Sequence, residues 1–153
     1  MNSSAGNTTC AFASEKDLDV LVGMFDRYRE FYEQPGNPSL ARGFLAERLR
    51  LGDSVIIIGE IDGRAAGFTQ LYPSFSSVSA RKLWILNDLY VEPAHRRKGV
   101  AQALLEEARQ HAVKTGAKGL TLSTRTHNVT AQKLYTQKGY VRDDNYYTYN
   151  LTF

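Results

Sequence analysis

Glu92-Pro93-Ala94-His95-Arg96-Arg97-Lys98-Gly99-Val100-Ala101 is the stretch most able to do chemistry. An apolar, strand-like run ends at Val91, a polar turn follows, and an amphipathic run begins near Gly99. A helix starting there leaves about four backbone N–H groups without intrahelical partners. The helix dipole adds positive potential at the same end. Gly99 and Ala101 are small enough for a diphosphate to approach the main chain, and Arg96, Arg97 and Lys98 add charge at the rim. The spacing Arg96-x-x-Gly99-x-Ala101 therefore suits a diphosphate. Three other readings stay open on these residues alone: a solvated basic loop, a localisation patch, and a nucleotide site of another type. The strand-to-helix setting argues against the localisation patch. Neither G-x-x-x-x-G-K-[ST] nor G-x-G-x-x-G occurs.

Other reactive side chains are sparse. His95, His111 and His127 lack ligand spacing with Cys or carboxylates, so no metal site is expected. The lone Cys10 has no partner for an internal disulfide and sits in an alternating apolar segment, which reads as structural. No Ser-His-Asp order is recognisable.

Length and charge bound the partners. The 153 residues fit one domain over 1–153, with residues 1–9, rich in Asn, Ser and Thr, as a flexible tail. That tail lacks the basic start and apolar core of a signal peptide. No apolar run approaches the roughly 20 residues that cross a bilayer, so a cytoplasmic chain with no membrane partner is expected. Residues 1–76 hold 7 Lys/Arg against 10 Asp/Glu, and residues 77–153 hold 12 against 6, a swing from −3 to +6. A basic C-terminal half suits an anionic ligand. The small overall excess of +3 and the lack of a recognised motif speak against nucleic acid.

The elements that must position these residues follow from periodicity. Residues 9–13 alternate as a first strand, and Ser14-Glu15-Lys16-Asp17 resembles a capping box. Leu18, Leu21, Val22, Phe25, Tyr28 and Tyr32 fall at helical spacing. After the break at residues 34–38, Pro38–Leu51 reads as a second helix capped by Asn37. Residues 54–60 and 65–72 form a hairpin about Asp62-Gly63, followed by a Ser-rich loop. Residues 82–91 read as a long strand, 99–115 as an amphipathic helix, 119–124 as a strand, 129–138 as a short helix and 146–153 as a last strand. The order β, α, α, hairpin, β, α, β, α, β predicts an α/β (α+β) chain with a mixed sheet and helices on its faces. Residues 82–124 form one right-handed βαβ unit.

Two blocks carry a family resemblance. Asn87-Asp88-Leu89-Tyr90-Val91-x-Pro93-x-x-Arg96-Arg97-x-Gly99-Val100-Ala101 and Asn128-x-x-Ala131-x-x-Leu134-Tyr135-x-x-x-Gly139-Tyr140 resemble the GNAT superfamily of N-acetyltransferases, in the expected order and separation. The stretch from Leu71-Tyr72 to Leu89 looks most like its spermidine/spermine and diamine members. The resemblance implies a GNAT-like acyl-CoA N-acyltransferase fold, its sheet splayed at the acetyl-CoA site. It implies acetyl-CoA as co-substrate, held by Leu89, Tyr90, Val91, Arg96, Arg97, Lys98, Gly99, Val100, Ala101, Asn128, Ala131 and Tyr135. An amide N–H at Leu89 would polarise the acetyl carbonyl, and Tyr135 would protonate the leaving thiolate. Taken alone, Tyr135 also fits a core aromatic, and Asn128 a helix cap.

The reaction that the resemblance implies is acetyl transfer to a primary amine, and it needs a base. Attack on a thioester needs the neutral amine, and a lysine-like amine has a pKa of about 10.4. Asp88 is the carboxylate beside the reacting centre, but Asn87 and Asp88 face opposite ways in a regular strand unless a bulge intervenes. The diamine members carry Glu where this chain has Asn87, and an amide cannot act as a base. Asp88 as base acting through water, another group as base, an amine arriving neutral, and Asp88 as a structural hydrogen-bond partner all stay open. Tyr32, Tyr72, Phe75, Trp84, Asn87 and Asp88 are the candidates for the acceptor pocket, with Tyr28 and Glu33 on the first helix in reach. The acceptor is expected to be a small-molecule amine. A protein lysine or N-terminus, and a non-catalytic acyl-CoA sensor, are the alternatives. A homodimer is compatible with the resemblance.

Overall fold

β-branched runs and i, i+4 apolar rows sort most of the chain as its sequence predicts. The computed structural model describes residues 6–153. The chain divides into two compact units, Met1–Ser123 and Thr124–Phe153. The first unit holds strands β1 (Thr8–Phe12), β2 (Val55–Ile61), β3 (Arg64–Ser76), β4 (Arg81–Val91) and β5 (Leu120–Thr121). It also holds helices α1 (Leu18–Phe31), α2 (Pro38–Leu51) and α3 (Val100–Lys114), while α4 (Val129–Gln137) belongs to the second. The strands lie in the order β1-β2-β3-β4-β5. All neighbours are antiparallel except β4 and β5, which are parallel. The sheet is therefore mixed and open, and α3 makes the long crossover that a parallel pair requires.

Local chemistry sets the element ends. Ser14 and Asp17 form the expected capping box, with the Ser14 N–H donating to Asp17 Oδ2 at 2.8 Å. The Asn37 side chain accepts from the Leu40 N–H at 3.1 Å, and Pro38 opens α2. Asp62 and Gly63 both take positive φ, 51° and 79°, the conformation of a two-residue hairpin turn between β2 and β3.

Side-chain alternation splits the core between the two faces of the sheet. Leu21, Met24 and Phe25 of α1 and Leu45 of α2 pack on Ile56, Ile58, Phe68 and Tyr90. On the other face, Trp84 lies against α3, its ring 4.9 Å from that of His111 and its Nε1 donating to Thr115 Oγ1 at 2.8 Å. Val100 and Leu104 come close enough to β2 that a Cβ on Gly59 would meet them at 3.0 and 3.3 Å.

Several expectations change. β1 begins at Thr8, so Thr8 and Thr9, grouped above with the tail, pair with Ile61 and Glu60; residues 1–5 lie outside the described residues. The Ser-rich loop is shorter than expected, because β3 runs through Pro73 to Ser76 opposite Arg81. Pro73 is tolerated there because the β2 ladder ends at Val55–Leu71, so no β2 residue needs its missing N–H. The strand expected over 119–124 keeps two residues, Leu120–Thr121. The strand expected over 146–153 does not form: Tyr146, Tyr147, Tyr149, Leu151 and Phe153 are exposed. Alternation makes a strand only where a ladder partner exists, and α4 is the regular element described in that unit.

Gly67 packs closely on β4, and a Cβ there would strike the Tyr90 carbonyl oxygen. Gly67→Ala is expected to cost about 1–3 kcal/mol. Gly43→Ala meets nothing within 4 Å in α2 and should stabilise by up to about 1 kcal/mol. Urea denaturation of the two variants checks this; equal midpoints would refute the close approach.

Candidate active site

A bulge in β4 organises the site. Gln70 is opposite Asp88 and Leu71 is opposite Leu86, which leaves Asn87 as the extra residue. One inserted residue exchanges the faces of everything beyond it. Trp84 accordingly lies against α3, whereas Tyr90, an even number of residues later, packs with the α1 cluster. Asp88 shares the face of Tyr90. The parity problem left by the sequence is resolved in favour of the bulge.

Asp88 is buried, with 3% of its surface exposed. Gln70 Nε2 donates to its Oδ2 at 2.7 Å, Asn87 Nδ2 donates to Oδ1 at 3.0 Å, and the Tyr28 hydroxyl donates as well. Burial pushes the Asp88 carboxyl above its ordinary value, and these three neutral donors pull part of the way back. The same neighbourhood raises the phenols. Burial and then the Asp88 charge push Tyr28 far up and bring Tyr72 to about 12. Tyr32 meets Tyr28 edge-on, ring centroids 5.0 Å apart. Asp88, Asn87, Tyr72 and Tyr32 thus gather around Tyr28 and Gln70.

The turn after β4 has the shape its sequence suggests. A 3-10 turn spans Pro93–His95, Arg96 is extended, Arg97 and Gly99 take φ of 62° and 85°, and α3 starts at Val100. A left-handed arginine is uncommon and marks a constrained turn. Gly99 caps α3 without a side chain, so no side chain there competes for the first-turn N–H groups. Val100 is buried against β2, Ala101 is half-buried, and Arg96, Arg97 and Lys98 are exposed. Arg96 Nε donates to the Val91 carbonyl at 3.1 Å, with its guanidinium 5.9 Å from the Phe31 ring. Glu92 straps the turn to α1: it accepts from Arg27 Nε at 2.9 and 3.1 Å and from the Tyr90 hydroxyl at 3.1 Å. The β4–β5 rungs are Trp84–Leu120 and Ile85–Thr121, so Leu89 and Val91 lie on a part of β4 beyond that ladder. Open amides, a left-handed glycine and three cations fit a CoA diphosphate.

In the second unit, Asn128 caps α4, its Oδ1 accepting from the Ala131 N–H at 3.2 Å. Tyr135 is half-buried on α4, its ring 5.8 Å from that of Tyr140.

Other candidates are placed elsewhere. Trp84 stacks on α3, across the sheet from Asp88, because the bulge lies between them. Phe75 is 73% exposed near the end of β3. The Tyr90 side chain is buried in the α1 core, which leaves only its main chain for a ligand. Glu33 is an exposed charge. Cys10 is half-buried in β1, and burial raises its thiol, as suits a structural residue. Among the described residues no group of three or more His, Cys, Asp or Glu could hold a metal ion, and no helix is long and apolar enough to cross a membrane.

Residues 21–140 match the model of the acetyltransferase (GNAT) family. The chain belongs to the GNAT family of acetyltransferases. As a GNAT member it is an N-acetyltransferase, and acetyl-CoA is the co-substrate general to that family. It is 46% identical over 139 residues to the uncharacterized N-acetyltransferase YhfO of Bacillus subtilis (strain 168), covering 91% of this chain and 93% of that one. It is 33% identical over 139 residues to the D-amino-acid N-acetyltransferase HPA3 of Saccharomyces cerevisiae (strain ATCC 204508 / S288c), covering 88% and 86%. A crystal structure of a probable acetyltransferase superposes with a TM-score of 0.90 at 42% identity, over 95% of this chain and 97% of the other.

Reading the sequence for this GNAT site missed Gln70 and Ser54. The available signal was one amide, Gln70, among the apolar positions of β3, where a buried polar side chain needs a partner.

A carboxyl held above its ordinary value of 3.8 binds more protons folded than unfolded, so its contribution to stability falls as pH rises above that value. The melting temperature of Asp88→Asn minus that of the parent protein should therefore climb as the pH rises above about 4. A difference that is flat or falls with pH would contradict the buried, strained carboxyl.

Proposed function

We propose that this GNAT protein acetylates the primary amine of a small molecule by direct attack on acetyl-CoA, with Asp88 taking the amine proton and Tyr135 protonating the departing thiolate. The observation that carries the proposal is the buried Asp88 carboxyl, whose side-chain donors among the described residues, Gln70, Asn87 and Tyr28, are neutral. A buried anion of this kind is stabilised by an incoming cation, and an alkylammonium supplies one. Its raised proton affinity brings it nearer to that of the amine, as a general base requires. Tyr28, Tyr32 and Tyr72 supply aromatic walls for a cationic acceptor. The D-amino-acid acceptor in the name of the yeast relative is itself a small amine.

Acetyl-CoA supplies the activated acetyl group. The amides of the turn at Arg96, Arg97, Lys98, Gly99, Val100 and Ala101 would hold its diphosphate. The main chain of Leu89, Tyr90 and Val91 would align its arm, with Asn128 and Ala131 as further contacts. The Leu89 N–H would stabilise the oxyanion that forms as the amine attacks.

A panel of amines, amino acids and polyamines with acetyl-CoA, read by thiol release, tests the assignment. Turnover of at least one small amine is expected. Asp88→Asn and Tyr135→Phe should each lower kcat by about 10²–10⁴-fold if their proton transfers limit the rate. Gly99→Ala, strained at φ 85°, should mainly raise KM for acetyl-CoA. Full turnover in Asp88→Asn or Tyr135→Phe removes that residue from its role, and a peptide acceptor preferred over every small amine replaces the substrate class.

A further inference from the structure

Behind Asp88 lies a second layer of polar groups that no step above uses. Gln70 is 0% exposed in the middle of β3 and stands opposite Asp88 in the ladder. Its Nε2 donates to Asp88 Oδ2 at 2.7 Å, and its Oε1 accepts from Ser54 Oγ at 2.9 Å. Ser54 is half-buried just before β2.

We propose that Gln70 and Ser54 are positioning residues for acetyl transfer, a hydrogen-bonded chain that holds the Asp88 carboxylate in one orientation toward the acceptor amine. The proposal rests on Asp88 acting as the base.

The polarity of the chain follows from its chemistry. An ionised carboxylate only accepts hydrogen bonds. Gln70 must therefore turn its NH₂ toward Asp88, which leaves Oε1 pointing at the group on the other side. Ser54 is the donor that satisfies Oε1, so its hydroxyl fixes the amide in the orientation that serves the anion. Reversing the amide would set two acceptors, Oε1 and Oδ2, against each other in a buried space, an arrangement that costs the full desolvation of both.

Burial then divides the carboxylate. Oδ2 faces the wholly buried Gln70, and Oδ1 faces the exposed Asn87. In the proposed chain the inner oxygen is tethered by a buried amide, and Oδ1, bonded to an exposed side chain, receives the proton; the Tyr28 hydroxyl is the third donor to the carboxylate. Proton transfer to Oδ1 breaks an ammonium N–H bond, forms a carboxyl O–H bond, and leaves a neutral amine with a free electron pair. The extra residue at Asn87 makes this arrangement possible, because it turns Asp88 onto the face that Gln70 shares. The ionisable groups facing Asp88 are Tyr28 from α1 and Tyr72 from β3, and Arg48 and Asp53 act on Tyr72 in turn.

The test pairs a direct titration with a rate profile. The protein, labelled with ¹³C at aspartate carboxyls and assigned through Asp88→Asn, is titrated by NMR as parent, Ser54→Ala and Gln70→Leu. Removing a donor to the anion disfavours the anion, so the Asp88 resonance should titrate about one pH unit higher in Gln70→Leu. A smaller shift of the same sign is expected in Ser54→Ala. The acidic limb of kcat/KM should move upward by matching amounts. A resonance that stays in place in the folded variants overturns the proposal, and the half-buried Ser54→Ala decides this if Gln70→Leu does not fold. A resonance that moves while the rate profile does not overturns the positioning role. In that case, full turnover in Asp88→Asn would locate the failure in the base assignment, and lost turnover would locate it in the Gln70 chain.

Discussion

One extra residue in one strand governs the site. β4 carries Asn87 as a bulge, so the strand presents Trp84 to α3 and Asp88 to α1 and α2. In a strictly paired ladder Asp88 and Tyr90 would stay on Trp84's face, and the carboxylate would meet the apolar flank of α3. The bulge also sits two residues beyond the last rung that β4 shares with β5, where the sheet opens. The burial of the Asp88 carboxylate beside Tyr28 follows from that local irregularity.

Burying Asp88 among neutral donors works against stability. Three hydrogen bonds offset part of the lost solvation, and burial still dominates. The protein keeps a group in a state that would improve by gaining a proton or a cation. A carboxylate in that condition is suited to receiving a proton, which is the role proposed for it.

The turn after β4, to which the proposal assigns the diphosphate, depends on main-chain conformation more than on charge. Arg97 and Gly99 both sit at positive φ, and Gly99 needs that freedom for its backbone, since a Cβ there would meet nothing within 4 Å. Two anchors hold the turn. Val100 packs onto the side-chain-free surface of Gly59, and Glu92 is tied to Arg27 of α1. The second tie joins the turn that suits the diphosphate to the helix that carries Tyr28. The exposed cations at Arg96, Arg97 and Lys98 add a screened attraction to a shape already set by the backbone.

Much of this protein was legible in its residues alone. The shape of the turn after β4 declares itself locally, because Gly99, Ala101 and the basic run are contiguous and the start of α3 depends on neighbours in sequence. The helix caps at Asn37 and Asn128 and the Asp62-Gly63 turn are local for the same reason. The face that Asp88 occupies was not legible, since a bulge is a relation between two strands and period-2 alternation carries no mark of it. Ser54 and Gln70 lie 16 residues apart, and Gln70 and Asp88 lie 18 apart. Only the folded sheet brings those three together. The residues over 146–153 show the converse: their alternation was plain in the sequence, but a strand exists through the partner it pairs with, and that partner is a property of the tertiary structure.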